Sequence, residues 1–145
     1  MRFSSRGEYG LRALVDLAEH YGEGPVASAH IAERQLIPAN YLNQLLLALR
    51  NGGLISSLRG PRGGHMLARS PEEIRLSDAI SILEGPMAPM DCVNPEIKCE
   101  CELVRGCGIY RVWAEVKAAA DQILASRTLA DLVPQRFEKR LQQTI

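Results

Sequence analysis

Cys92, Cys99, Cys101 and Cys107 are the only cysteines of the 145-residue chain, and they fall within sixteen residues with the spacing Cys-x6-Cys-x-Cys-x5-Cys. Thiolates are soft ligands that anchor iron–sulfur clusters, so four of them on one segment point to metal chemistry. The paired Cys-x2-Cys knuckles of structural zinc sites are absent, which favours iron–sulfur ligation over zinc. A reducing compartment disfavours disulfides among them. The same segment carries Asp91, Glu96, Glu100 and Glu102, an acidic setting that opposes a set of free low-pKa thiolates and makes metal-free thiol redox chemistry the weaker account. A cysteine nucleophile would need a base and an orienting group. His20, His30 and His65 are all remote from the cluster in sequence, and no nucleophile elbow or phosphate loop is present, so the chain is not expected to be an enzyme.

Arginine carries the second chemistry. The chain has a formal net charge of zero, but residues 1–70 hold eight Arg, no Lys and five acids, whereas residues 71–145 hold nine cations and twelve acids. No acid lies between Arg34 and Pro71, a stretch that contains Arg34, Arg50, Arg59, Arg62 and Arg69. A local field of that sign suits phosphates, and the planar guanidinium fork meets a phosphate or a guanine edge with two bonds. A merely solvated cationic face would intersperse acids.

Length and composition limit what can position these groups. At 145 residues and 46% hydrophobic, the chain is sized for one ordinary domain with an appended arm. Its longest apolar runs are far below the roughly 20 residues that span a bilayer, and no signal-peptide core follows the polar N-terminus. A soluble protein resident in the cytoplasm, with no membrane partner, is the expectation.

Leu11, Leu14, Val15, Ala18 and Tyr21 recur with helical spacing and predict a first helix over about 5–20. Ser28 is the expected N-cap of a short second helix, Ala29 to Gln35. A third helix over Ala39–Asn51 turns Leu42, Leu45, Leu46 and Leu49 inward and Asn40, Asn43 and Gln44 outward, and Gly52-Gly53 stops it. Two short helices with a tight connection form a helix-turn-helix. Leu54–Leu58 and His65–Ala68 then read as two strands joined by Arg59-Gly60-Pro61-Arg62-Gly63-Gly64. The alternative, a plain surface hairpin, leaves the arginines and glycines of the turn unexplained. The fold class is mainly α with a small β wing: a winged helix-turn-helix whose Gly60 and Gly63 permit close approach to a duplex and whose Arg59 and Arg62 contact it.

Ser77 is the expected cap of a helix ending at Glu84, after which regular patterning fails until about Gly106. An irregular segment of that length is usually functional. Ile109, Val112, Trp113, Val116, Ala120, Ile123 and Leu124 then form the narrow seam of a long helix. A small winged helix has little surface to cover that seam, so a homodimer is expected. The division is 1–84 for DNA binding, 85–107 for the cysteine loop, 108–133 for the dimerisation helix region and 134–145 for a polar tail.

The run Met1–Gly10, the stretch Tyr41-Leu42-Asn43-Gln44-Leu45, the wing Leu58–His65 and the downstream cysteines resemble the bacterial winged-helix iron–sulfur regulators of the IscR, NsrR and CymR family over roughly residues 1–133. The resemblance implies a dimeric, cluster-dependent transcription regulator that binds an inverted-repeat DNA operator and carries a 2Fe-2S or 4Fe-4S cluster. It implies cluster ligation by Cys92, Cys101 and Cys107, with Cys99 as an extra thiol. The iron–sulfur assembly regulators add a His three residues after the last cysteine, where this chain has Tyr110. The nitric oxide sensors instead use a carboxylate at the position of Glu8, so Glu8 or Cys99 is the implied fourth ligand. Members without these cysteines regulate without a cluster, so a cluster-free or zinc-stabilised repressor is the alternative. On the DNA side it puts Ala39, Asn40, Tyr41, Asn43 and Gln44 at the recognition-helix positions, where Asn40 and Gln44 can read adenine edges and Tyr41 either reaches phosphate or packs against the core, with wing contacts from Arg59 and Arg62; Ser5 and Ser28 are candidate phosphate donors.

Overall fold

The computed structural model describes residues 2–134; the polar tail expected at 134–145 lies, beyond Pro134, outside the described residues. Five helices and a two-stranded sheet follow in the order α1 (Ser5–Glu19), α2 (Ser28–Gln35), α3 (Ala39–Asn51), β1 (Ile55–Leu58), β2 (Gly64–Leu67), α4 (Leu76–Glu84) and α5 (Gly108–Ser126). Single 3-10 turns lie at Pro71–Glu73, Asp91–Val93 and Leu129–Leu132.

The predicted helices form on the expected stripes; α1 and α3 start where expected, whereas α2 and α4 start earlier. Ser4 caps α1, its hydroxyl accepting from the Gly7 amide at 3.4 Å. Ser28 is the first residue inside α2, the cap position is Ala27, and no side chain caps the helix. Likewise α4 starts at Leu76 behind Arg75, which places Ser77 within the helix. In both cases the residue before the helix is held extended by a long-range bridge at or beside it: Val26 pairs with His65, and Arg75 with Thr128. These pairings set where each helix can begin.

One core joins the pieces. Leu14 and Leu17 of α1, Ile31 of α2, and Leu42, Leu45, Leu46 and Leu49 of α3 are buried together with Leu54, Ile74 and Leu83. Leu129 belongs to the same cluster, so the segment after α5 returns to the head, tied by Leu129 N to Ile74 O at 2.8 Å and Leu76 N to Arg127 O at 3.0 Å. Each such side chain stabilises by roughly 1.5–3 kcal/mol. The wing strands pair antiparallel from Ile55 with Leu67 to Leu58 with Gly64, and the Val26–His65 bridge attaches this hairpin to the chain entering α2.

Asp16 is the one buried charged side chain among the described residues. Arg34 of α2 grips it with two parallel bonds, Nε to Oδ2 at 2.9 Å and Nη2 to Oδ1 at 2.8 Å, and Gln35 Nε2 donates at 3.2 Å. Burial by itself raises the Asp16 pKa, but the hydrogen bonds from Arg34 and Gln35 and the charges of Arg34 and His20 outweigh it, and the carboxyl ends below its ordinary value. Arg34, which the charge pattern places in the phosphate-facing set, is therefore engaged by Asp16, although its side chain remains 40% exposed.

Asp16→Asn should lower unfolding stability by about 2–3 kcal/mol, the range for hydrogen bonds to a charged group. A carboxyl with a lowered folded-state pKa contributes stability that is complete above its unfolded value and disappears as pH falls through the folded one. The difference between wild type and Asp16→Asn in urea unfolding should thus persist from neutrality to about pH 4 and shrink below it. A difference that grows with acidification contradicts this assignment.

Candidate nucleic-acid interface and cysteine loop

The exposed side of α3 carries Asn40, Asn43, Gln44 and Leu47, while Leu42, Leu45, Leu46 and Leu49 are buried. Tyr41 is half-buried and packs edge-on against Tyr9 of α1, ring centres 5.8 Å apart at 78°. Its ring thus belongs to the head's packing. Leu36, in the turn between α2 and α3, adopts the left-handed conformation at φ 55° and is exposed.

Arg59 and Arg62 are exposed on the wing turn. Gly60 has φ +111°, and a Cβ on Gly63 would lie 2.1 Å from the Leu58 carbonyl oxygen, so the tight return of the wing needs a residue without a side chain there. Gly63 N donates to Gly60 O at 2.9 Å to close the turn. Ser5 is exposed at the first position of α1, and Ser28 is partly exposed at the first position of α2. Freed from capping, the Ser28 hydroxyl has no hydrogen-bond partner among the described residues.

His65 sits at the base of the wing, its Nδ1 2.8 Å from the Ser57 hydroxyl across the strands. Burial lowers its pKa, and the Arg50 charge lowers it further. Its two backbone bonds with Val26, both 2.8 Å, join the wing to the start of α2. The sequence around His65 marks the start of a wing strand but carries no local signal for this second attachment.

The segment from Gly85 to Cys107 is irregular apart from one turn at Asp91–Val93. All four cysteines are free thiols; Cys92, Cys99 and Cys107 are partly exposed and Cys101 is exposed. Cys107 caps α5, its Sγ accepting from the Tyr110 amide at 3.5 Å. Four unpaired soft donors on one loop fit iron or zinc ligation by their chemistry, but among the described residues no three His, Cys, Asp or Glu side chains converge to hold one ion. Glu8 is not brought to the thiols: it pairs with Arg12 on α1 and lines an open apolar hollow with Phe3, Leu11, Val15 and Leu132.

α5 packs on α4 by one side, and none of its residues is fully buried. Ile109, Val112, Trp113 and Ile123 remain 39–60% exposed. Val116, Ala120 and Leu124 of the predicted seam are partly covered. Among the described residues no helix is long and apolar enough to cross a membrane.

The lowered His65 pKa means that the unfolded chain binds more protons than the native one below the ordinary histidine value of about 6.5. Stability contributed by neutral His65 is complete above that value and is lost as pH falls through the window beneath it. In urea unfolding at several pH values, His65→Gln should remove that portion of the acid sensitivity. An identical slope in wild type and variant would refute it.

The sequence pattern of the Rrf2 family, described as iron-dependent transcriptional regulator, matches residues 3–135. The HTH-type transcriptional regulator CymR of Bacillus subtilis is 37% identical over 132 residues, covering 91% of this chain and 89% of that protein. The structure of B. subtilis CymR, titled the global cysteine regulator, superposes with a TM-score of 0.78 at 35% identity, covering 93% of this chain and 98% of that one. The T. potens IscR structure superposes at 0.72 with 39% identity, covering 93% and 88%. Winged-helix architecture, an exposed polar face of α3 beside the wing arginines and similarity across nearly the whole chain lead to one conclusion: this chain belongs to the Rrf2 family of transcriptional regulators.

Proposed function

We propose that the chain is a homodimeric transcriptional regulator whose cysteine loop binds an iron–sulfur cluster and thereby sets its affinity for an inverted-repeat operator. The observation that carries this reading is the confinement of all four thiols to the loop between the DNA-binding head and α5. Cys92, Cys101 and Cys107 are the proposed ligands, with Glu8 or Cys99 as the fourth. The cluster, when bound, would supply a redox-labile or ligand-labile iron centre; the residues of the chain do the rest.

On the DNA side, Asn40 and Gln44 present amides suited to adenine edges, with Asn43 beside them. Arg59 and Arg62 on the wing supply groove or phosphate contacts, and Ser5, Ser28 and the Tyr41 hydroxyl supply phosphate contacts. Two heads related by a two-fold axis would address half-sites about 34 Å apart. The exposed Ile109, Val112, Trp113 and Ile123 supply the apolar surface for the two-fold contact. A tenfold switch in DNA affinity requires a coupling of only ~1.4 kcal/mol.

A cluster-free regulator is the second reading, and a specific observation favours it: the ligand side chains do not converge within one chain, and the CymR relative is titled a cysteine regulator. Protein purified without oxygen separates the two. Broad visible absorption with matched iron and acid-labile sulfide is the expected result, and Cys101→Ser should abolish it. A colourless protein that takes up no cluster on anaerobic reconstitution leaves a cluster-free winged-helix regulator. Trp113→Glu should convert a dimer to a monomer in sedimentation velocity; an unchanged dimer would place the interface elsewhere.

A further inference from the structure

The end of α4 is joined to the start of α1 by an unusually close junction. The amides of Ser4 and Gly7 donate to Glu84 Oε1 at 3.0 and 2.9 Å, and the Ser4 hydroxyl donates to the same oxygen. Arg6 Nε donates to the Leu83 carbonyl at 2.9 Å. A carboxylate at a helix N-terminus also meets the positive end of the helix dipole. The approach requires glycine: a Cβ on Gly7 would lie 2.3 Å from Glu84 Oε1, and one on Gly10 would lie 2.4 Å from Leu83 Cδ2.

Glu84 is also the last helical residue before the cysteine loop. Gly85, at φ +77°, turns the chain out of α4, and Pro86, Met87 and Ala88 run beside Arg2 and Phe3 around a hollow of about 90 Å³ that Glu84 also lines. The root of the loop and the first turn of α1 therefore form one unit. Further along, α1 holds α2 through the Asp16–Arg34 clamp, and α2 packs on α3.

We infer that Glu84 is a positioning residue that couples the cysteine loop to the DNA-binding head. This rests on the reading of the loop as the sensing element, and it adds the route. A change at the thiols pulls on the chain leaving Gly85, the Glu84 clasp passes that displacement to the first turn of α1, and α1 carries it to α2 and α3. Coupling of this kind is reciprocal, so DNA bound at the head must alter the loop by the same factor by which the loop alters DNA affinity. Because every cysteine of the chain lies on the loop, thiol reactivity reports on the loop alone.

The test uses full-length reduced protein and follows reaction with Ellman's reagent, with and without a saturating mixed-sequence duplex at low salt. Fluorescence anisotropy on the same samples verifies binding. At a reagent concentration low enough that the loop opens and closes many times per reaction event, the rate reports the loop's equilibrium, and bound duplex should change it in the wild type by roughly fivefold or more. In Glu84→Ala the ratio should fall to about one while the duplex still binds, and Glu84→Gln, which keeps the acceptor oxygen, should retain most of it. A purely structural Glu84 would change melting temperature and leave the ratio intact. Gly7→Ala offers a second cut, since its Cβ displaces the Glu84 carboxylate while alanine favours the helix. The inference is overturned if Glu84→Ala and Gly7→Ala both keep the wild-type ratio, or if the wild type binds duplex with no change in thiol reactivity. A wild type that binds no duplex fails in the anisotropy arm, and removes the DNA-binding reading itself.

Discussion

The two-pronged bond between Asp16 and Arg34 is the constraint on which the geometry of the head depends. An ion pair with one buried member is costly to form, because the carboxylate surrenders its hydration, and it persists only when its oxygens are filled by well-aligned donors. Here Arg34 and Gln35 fill them, and His20 stands 3.6 Å away. Only Ile31 of α2 is buried in the apolar core, and the bidentate bond adds a directional constraint on how α2 sits against α1. Fixing α2 fixes the turn at Leu36 and hence the direction in which α3 presents Asn40, Asn43 and Gln44.

The wing is oriented by a different device. A two-stranded hairpin alone is marginal in water. This one is secured because Val26, just before α2, pairs with His65 and makes the wing an extension of the helix-turn-helix. The exposed Arg59 and Arg62 are therefore carried at a set distance from α3. α3 and the wing are thus held relative to each other by covalent proximity at one end and backbone hydrogen bonds at the other. Arg34 and Arg62 illustrate how residues of one type divide: the guanidinium of the first is held by the buried Asp16, whereas the second is exposed on the wing turn.

The cysteine loop occupies the boundary between the part of the chain that packs and the part that does not. On its upstream side, α4 is locked to α1 through Glu84 and the glycines that admit it. On its downstream side, Cys107 caps α5, a helix with an uncovered apolar face. The two attachments differ in kind. The α4 side is tied by several hydrogen bonds at one point, and the α5 side has the surface that a second copy of the chain would cover.

The sequence by itself determined the elements and their character. The leucine spacing of α3 and its stop at Gly52 placed that helix at Ala39–Asn51, and the Gly/Pro turn between two apolar runs declared the wing, because both signals act between residues near in sequence. The grouped cysteines and the acid-free arginine stretch were legible for the same reason, since composition needs no fold to be seen. Tertiary structure alone decided the rest. Ser28 and Ser77 look like caps locally, yet the long-range bridges at Val26 and Arg75 set the extended residue before each helix and move its start. Arg34 looks like a phosphate ligand until the fold buries Asp16 beside it, and Glu84 looks like the end of a helix until α1, nearly eighty residues away in the chain, brings its bare amides to it. Which polar groups are desolvated together is a property of the assembled core, and no local pattern encodes it.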